Sequence, residues 1–325
     1  IDFSFAAMGG KSSGVGRTIV MSSFLLGGPS GSGVATTVTV GSVAASMLNK
    51  IGYDKNAAGG LLAAGGLGAI ISPPVLGAAA FLIADFLKIS YLDVLLMATI
   101  PTILFYLGLF VMVEIDVRKY SLHSQNFSAT ETAWGLTKKY WYHFFSLISI
   151  VVFMLLGFSP VMSVFWATVT SALTSMFRSD TAILSWDWLR GREPLIKGLY
   201  NSNLVKSLAG GSTGVLAIAA TCAGAGLIVG TVTLTGLGLK FSTIVIQYSG
   251  GSLLLTAIFT ALIVWIVGLA VPVTASYIIC AVIAAPAMVK LGVPDFAAHV
   301  YFLLCGFIGS ISANCFVAVC CRSDL

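Results

Sequence analysis

Charge is what this sequence has least of. Asp, Glu, Lys and Arg make up 9% of its 325 residues, where a soluble domain carries about 25%. That shortage excludes a large soluble domain, and 58% apolar residues leave an integral membrane protein. The net charge of +5 belongs to basic loops beside a membrane. Nucleic-acid binding is excluded, because no basic run is interleaved with aromatics. The sequence has no Cys-x-x-Cys and no Cys paired with a nearby His, so Cys222, Cys280, Cys305, Cys315, Cys320 and Cys321 read as small apolar core residues. A nucleotide loop is also missing. Gly28 and Gly33 have phosphate-loop spacing, but Val34 stands in place of the Lys, and Thr36 stands where the last Gly of a dinucleotide fingerprint would be. An intramembrane enzyme would need a catalytic pair, and the apolar runs offer only Ser and a peripheral His299 with no buried Asp partner.

What the chain does have is an internal repeat at an offset of 240 residues. Lys50, Gly52, Ala57 and Ala58 recur as Lys290, Gly292, Ala297 and Ala298; Gly66, Ile71, Ser72 and Ala78 recur as Gly306, Ile311, Ser312 and Ala318; Gly28, Ala35, Ala44 and Ala45 recur as Gly268, Ala275, Ala284 and Ala285. Both copies are apolar and interrupted by Gly, Ser, Thr or Pro. In a membrane chain this points to duplicated halves around a central site.

Residues 18–26 would make about 14 Å of helix, too short for a hydrocarbon core of about 30 Å. Gly27-Gly28-Pro29-Ser30-Gly31-Ser32-Gly33 follows and should stop the helix, with residues 34–48 as a second short arm. This predicts a re-entrant hairpin whose tip lies in protein or lines a cavity. Residues 57–87 are too long for one span and carry Ser72-Pro73-Pro74 in the middle, which predicts a broken helix. Residues 91–113 read as a span, 114–142 as a basic loop, 144–158 and 161–177 as a pair of spans, and 178–209 as an amphipathic interfacial stretch. Residues 213–239 read as a Gly-rich span in which Gly226 and Gly230 are spaced as a helix-contact face. Residues 252–270 and 274–289 read as a second hairpin, with 252–270 as an outright span the alternative, and 296–321 is the last apolar run, with Ser310, Ser312 and Asn314 inside it. The domains are then 1–113 (first repeat), 114–208 (loop, span pair and interfacial segment) and 209–325 (second repeat). Laid out this way, fourteen Lys and Arg fall on one side and three on the other, which makes the crowded side cytoplasmic and the repeats inverted.

The hydroxyls at the tips and breaks are hard oxygen donors suited to Na⁺, and half-helix N-termini suit a carboxylate. The first repeat offers Ser30, Ser32, Thr36 and Ser72; the second offers Thr274, Ser276, Ser312 and Asn314. His299 reads as an interfacial or packed side chain, with a proton relay as the alternative, and Asp85 and Lys88 as an interfacial pair one turn apart.

Gly31-Ser32-Gly33-Val34-Ala35, Leu48-Asn49-Lys50-Ile51-Gly52-Tyr53 and the run from Pro73-Pro74 through Phe81 closely resemble the large membrane subunit of TRAP transporters. So do the run from Gly230 to Gly238, Pro272-Val273-Thr274-Ala275-Ser276-Tyr277 and Ala297-Ala298-His299. The likeness is strongest to fused permeases that work with TAXI-type binding proteins. It implies an all-α integral membrane protein: an inverted-repeat, elevator-type secondary transporter with two re-entrant hairpins and two broken helices. It also implies Na⁺ as coupling ion, an organic anion (a carboxylate) delivered by a periplasmic binding protein, a small membrane subunit fused upstream, surrounding membrane lipid, and a bacterial or archaeal cytoplasmic membrane. Carried over by position, one sodium site involves Ser32, Gly33 and Ser72 and the other Pro272, Thr274 and Ser312. Substrate contacts fall on Ser30, Gly31, Ser32, Thr36, Pro73, Thr274, Ser276 and Asn314.

The chain departs from that pattern twice. Ala313-Asn314 stands where the family has a second Pro pair, and Gly268-Leu269-Ala270-Val271-Pro272-Val273-Thr274 lacks a Gly and a Thr of the family's second tip. Both weaken the second sodium site. The other readings are a passive channel and a degenerate, non-transporting copy. Because the chain starts at Ile1 and family members begin upstream, it reads as a fragment of a longer protein.

Overall fold

The structure is a computed structural model that describes residues 2–8, 14–120, 133–141, 144–176, 182–183 and 202–320. Among the described residues every regular element is a helix. The chain divides into two compact units, residues 1–133 with 225–325, and residues 134–224. Each is described by itself.

In the first unit, a short α1 (Asp2–Met8) precedes α2 (Gly14–Ser30) and α3 (Gly33–Lys50), which pack as a hairpin. The turn between them is only Gly31-Ser32. This corrects the longer tip expected from the sequence, since α2 stays helical through Gly27, Gly28 and Pro29. Those glycines allow close packing rather than ending the helix: a Cβ on Gly27 would lie 2.7 Å from Ala69 Cβ, and one on Gly28 would lie 2.9 Å from the Pro73 carbonyl oxygen. What ends α2 is Gly31, whose φ of 57° closes the last turn as its N–H donates to Gly27 O at 2.9 Å. Ser32 then caps α3, its hydroxyl accepting from Ala35 N at 3.4 Å.

The first broken helix is present. α4 (Lys55–Leu67), capped by Asp54, tightens into a 3₁₀ turn over Gly68–Ile70, opens at residues 71–77 and resumes as α5 (Ala78–Leu87). Proline supplies no N–H and disfavours helical backbone just before it, so Ser72-Pro73-Pro74 cannot continue α4. α6 (Tyr91–Lys119) follows, with Asp93 in its first turn and Arg118 and Lys119 in its last, as the helix dipole favours. The first core joins Ile19, Val20, Val40, Leu48, Leu61 and Val113.

The first unit resumes within α10 (Asn203–Leu234), which is followed by α11 (Leu237–Tyr248), α12 (Leu253–Ala270), α13 (Val273–Ile283), α14 (Ala285–Lys290) and α15 (Asp295–Cys320). α11 was not foreseen; the apolar run expected to end at 239 ends at Leu234 instead, because Gly236 turns the chain at φ 66°. Gly226 and Gly230 are exposed, and among the described residues nothing lies where a Cβ would stand. Cys280 is buried in a second core with Val264, Met288, Ala298 and Phe302, as a small apolar residue should be; the side chains of Cys315, Cys320 and Cys321 lie outside the described residues.

The 240-residue register holds through these helices. The turn Gly31-Ser32 corresponds to Val271-Pro272, the helix end Lys50 to Lys290, and the helix start Lys55 to Asp295. One expectation fails: the second broken helix is not broken. α15 runs unbroken through Ser312-Ala313-Asn314, because no proline removes an N–H there. The interruption sits instead in the preceding arm, between α13 and α14, where Pro286 falls in the first turn of α14. The repeats meet where α4 packs against α15, and α5 against α13 and α15.

The second unit holds α7 (Ala133–Tyr140), α8 (Phe144–Leu155), α9 (Pro160–Ser175) and the start of α10. α8 and α9 pair about a turn with Gly157 at φ 87° and Ser159 as N-cap. At 12 and 16 residues they are about 18 and 24 Å long, short of the span lengths expected from sequence. The interfacial stretch read at 178–209 lies largely outside the described residues, and its last part is already α10. Four helices among the described residues are long and apolar enough to cross a membrane: Tyr91–Lys119, Asn203–Leu234, Leu253–Ala270 and Asp295–Ala313.

Candidate functional site

Of the expected residues, Gly31 and Ser32 lie at the first tip, with Ser72 behind it. Opening α4 frees backbone groups in residues 71–77, and the tip of α2 and α3 is seated on them. Val75 N donates to Gly28 O at 3.2 Å, and Gly77 N to Ile70 O at 2.7 Å. Two carbonyl oxygens of the opened segment turn toward Gly31: a Cβ built there would lie 3.2 Å from both Val75 O and Leu76 O. A Cβ on Gly77 would in turn lie 3.5 Å from Gly31 O. Glycine is required at 31 both for its left-handed φ and for this approach. The result is a small cradle of backbone oxygens beside two helix N-termini, of α3 at Ser32 and of α5 at Gly77.

Ser72 is buried one step behind the cradle. Its Oγ lies 2.7 Å from Gly68 O and 3.1 Å from Tyr106 Oη. With its proton on Gly68 O, it accepts from Tyr106. Two more α6 side chains hold the opened segment. Thr102 Oγ1 holds its one proton between Ile71 O at 2.5 Å and Ala98 O at 2.7 Å, and Tyr91 Oη accepts from Leu76 N at 3.0 Å while its ring stacks on Phe81 at 4.6 Å. Sequence reading missed these three, although a signal was present. Tyr91, Val94, Ala98, Thr102, Tyr106, Leu109 and Val113 are buried at three- and four-residue spacing on one face of a span, and polar groups on such a face have a job to do.

The remaining first-repeat candidates are dispersed. Gly33 presses on Leu67, Thr36 is buried on α3, and Pro73 is half-buried with its carbonyl against Gly28. The side chain of Ser30 lies outside the described residues.

The second tip is built differently. Val271 takes an extended φ of −132°, and Pro272 is exposed. Ser276 is buried and donates to Val271 O at 3.3 Å; Thr274 is half-buried. Ser312 donates to Ile308 O at 2.9 Å and accepts from Trp265 Nε1 at 3.2 Å. The side chain of Asn314 lies outside the described residues. α12 and α15 cross closely, since a Cβ on Gly268 would lie 2.9 Å from Gly306 O. His299 Nδ1 lies 2.8 Å from Tyr277 Oη, a packed pair between α13 and α15. Asp85 and Lys88 pair at 2.8 Å and are exposed.

At the base of the first hairpin, Arg17 pairs with Glu114, and Tyr53 Oη donates to Asp116 Oδ2 at 2.5 Å. Burial, and then Asp116, push the Tyr53 hydroxyl well above its ordinary range, so it stays a donor. A cavity of about 470 Å³ on α12 and α15 is lined by Phe259, Leu262, Trp265, Tyr301, Cys305 and Ile308, and this apolar lining offers a carboxylate little to bind. Among the described residues no cluster of His, Cys, Asp or Glu could hold a metal, so any cation would rest on backbone and hydroxyl oxygen.

An all-helical, multi-pass membrane protein with a helical hairpin seated on a broken helix has the architecture of a transporter. Residues 1–313 match the family described as tripartite ATP-independent periplasmic transporter, DctM component. The chain belongs to that family, the large membrane component of TRAP secondary transporters, which is a transporter family and not an enzyme family. Membership implies a periplasmic substrate-binding protein and a small membrane subunit as partners. No curated protein matches the chain.

Proposed function

We propose that this permease takes up an organic anion, a carboxylate delivered by a TAXI-type periplasmic binding protein, across a bacterial or archaeal cytoplasmic membrane, coupled to Na⁺ and by an elevator-type motion of inverted repeats. The observation that carries this reading is the first tip. Backbone oxygens of Gly31, Val75 and Leu76 suit a hard cation, since unwound carbonyls replace its hydration shell. Beside them, the N-termini of α3 and α5 present partial positive charge to a carboxylate, with Ser32 as a hydroxyl partner. Bound there, sodium would supply positive charge that lowers the cost of bringing a carboxylate out of water. Ser72 contributes by fixing the 3₁₀ turn through Gly68.

The test is thermal unfolding of the full-length protein in detergent, in NaCl and in KCl at equal ionic strength. A ligand that binds only the folded state raises its stability by RT ln(1 + [L]/Kd). A midpoint higher in NaCl supports the reading, and equal midpoints in the two salts reject sodium coupling.

A further inference from the structure

We propose that this chain binds a single sodium ion, at the first tip, and that the corresponding place in the second repeat is closed to cations. The proposal rests on the sodium-coupled reading above and concerns the number and position of the ions.

Three observations separate the two places. The first is the backbone. A cation site in a membrane helix needs carbonyl oxygens released from i→i−4 bonding. Residues 71–77 release them by leaving the helix, whereas the equivalent residues 311–317 are helical within α15, where the ladder uses the carbonyls. The second is the tip. Gly31 is left-handed, with Val75 O and Leu76 O each 3.2 Å from where its Cβ would stand. Its counterpart Val271 cannot adopt that conformation cheaply and is extended. Val271 O instead accepts from the buried Ser276 hydroxyl at 3.3 Å. The third is the hydroxyl. Ser312, the residue the resemblance assigns to a second sodium, has its proton on Ile308 O and faces the indole N–H of Trp265 at 3.2 Å. An N–H donor pointed at that oxygen occupies the lone pair a cation would need. Among the described residues, the second repeat therefore keeps the half-buried Thr274 hydroxyl but has no opened backbone at 311–317, and its Ser312 oxygen already faces an N–H, so the set of donors is incomplete. Pro286 does interrupt the second repeat, but in the hairpin arm between α13 and α14, displaced from the tip.

The experiment is equilibrium binding of ²²Na⁺ to the purified full-length protein, with the chain concentration measured independently. The wild type should bind one ion per chain along a hyperbolic isotherm. Ser312→Ala and Trp265→Phe should leave the number unchanged and affinity within about twofold, while Gly31→Ala should weaken it by about tenfold or more. Gly77→Ala, whose methyl group would press on Ile70 Cγ2 at 2.7 Å and so shift the opened segment against Gly31, should weaken binding in the same sense, which probes the cradle from its other side. Two ions per chain, falling to one in Ser312→Ala, would overturn the inference while leaving sodium coupling intact. One ion lost on Ser312→Ala but kept in both glycine variants would overturn its placement. No bound ion would overturn the sodium reading itself.

Discussion

The two repeats share a register and differ in where their prolines fall, and that difference decides which backbone is opened. In the first, α3 is continuous and the helix after it breaks at Ser72-Pro73-Pro74. In the second, the arm is interrupted at Ala284 beside Pro286, and the helix after it is continuous. Turns, helix starts and helix ends still coincide at the 240-residue offset. The shared register thus keeps turns and helix ends in place, while a few residues without an N–H move the unsatisfied backbone oxygens.

The sharpest way to break this comparison is at the paired glycines where each hairpin meets the helix behind it. A Cβ on Gly66 would lie 1.9 Å from Thr37 Oγ1 and 2.8 Å from Thr37 Cα, whereas one on Gly306 meets Ser276 Cβ at 3.4 Å, an ordinary contact. Gly66→Ala should cost about 2 kcal/mol or more, and Gly306→Ala less than about 0.5 kcal/mol, since overpacking strains the first site and helix propensity favours Ala in the second. Denaturant titration of the two variants in the same detergent measures the gap, and equal losses would contradict it. Next come the tips. Gly31→Ala should cost about 1–2 kcal/mol through its left-handed φ and remove the sodium-dependent rise in unfolding midpoint. Val271→Ala, in extended backbone, should leave any such rise in place.

A smaller effect is expected behind the tips. Tyr106→Phe removes the buried donor to Ser72 and should cost about 1 kcal/mol, while Trp265→Phe, in a half-exposed pair with Ser312, should cost about half that or less. Equal values would mean that the two hydroxyls are supported alike. Smallest of all is Asp85→Ala. Its partner Lys88 is 78% exposed and Asp85 71%, so the loss should stay under about 0.5 kcal/mol and vanish in high salt. A larger, salt-resistant loss would show that α5 is anchored by that pair.

The sequence showed the first tip and the first break because both rest on local backbone chemistry: Gly31 supplies a left-handed residue, and Pro73-Pro74 removes two N–H groups. It overstated the tip because glycine was read as a helix breaker, when Gly27 and Gly28 serve the approach to Ala69 and Pro73, a tertiary fact no local pattern carries. The second break was expected from the family resemblance, although Ala313-Asn314 already lacked the proline that causes one. α11 escaped notice because Lys240 and Gln247 interrupt its apolar run, and its buried Ser242 finds Gly238 O and Ile283 O only in the folded chain. The pairing of Tyr277 with His299 is likewise invisible, since 22 residues separate them.

The clamp that α6 places on the first break has a mechanical meaning. Thr102, Tyr106 and Tyr91 hold Ile71, Ser72 and Leu76 from one side, at 2.5, 3.1 and 3.0 Å. Bending the chain at residues 71–77 would forfeit all three bonds at about 1 kcal/mol each. The interruption is therefore a splinted joint and not a hinge. Moving the first tip together with α6 keeps those bonds, whereas moving it apart from α6 loses them.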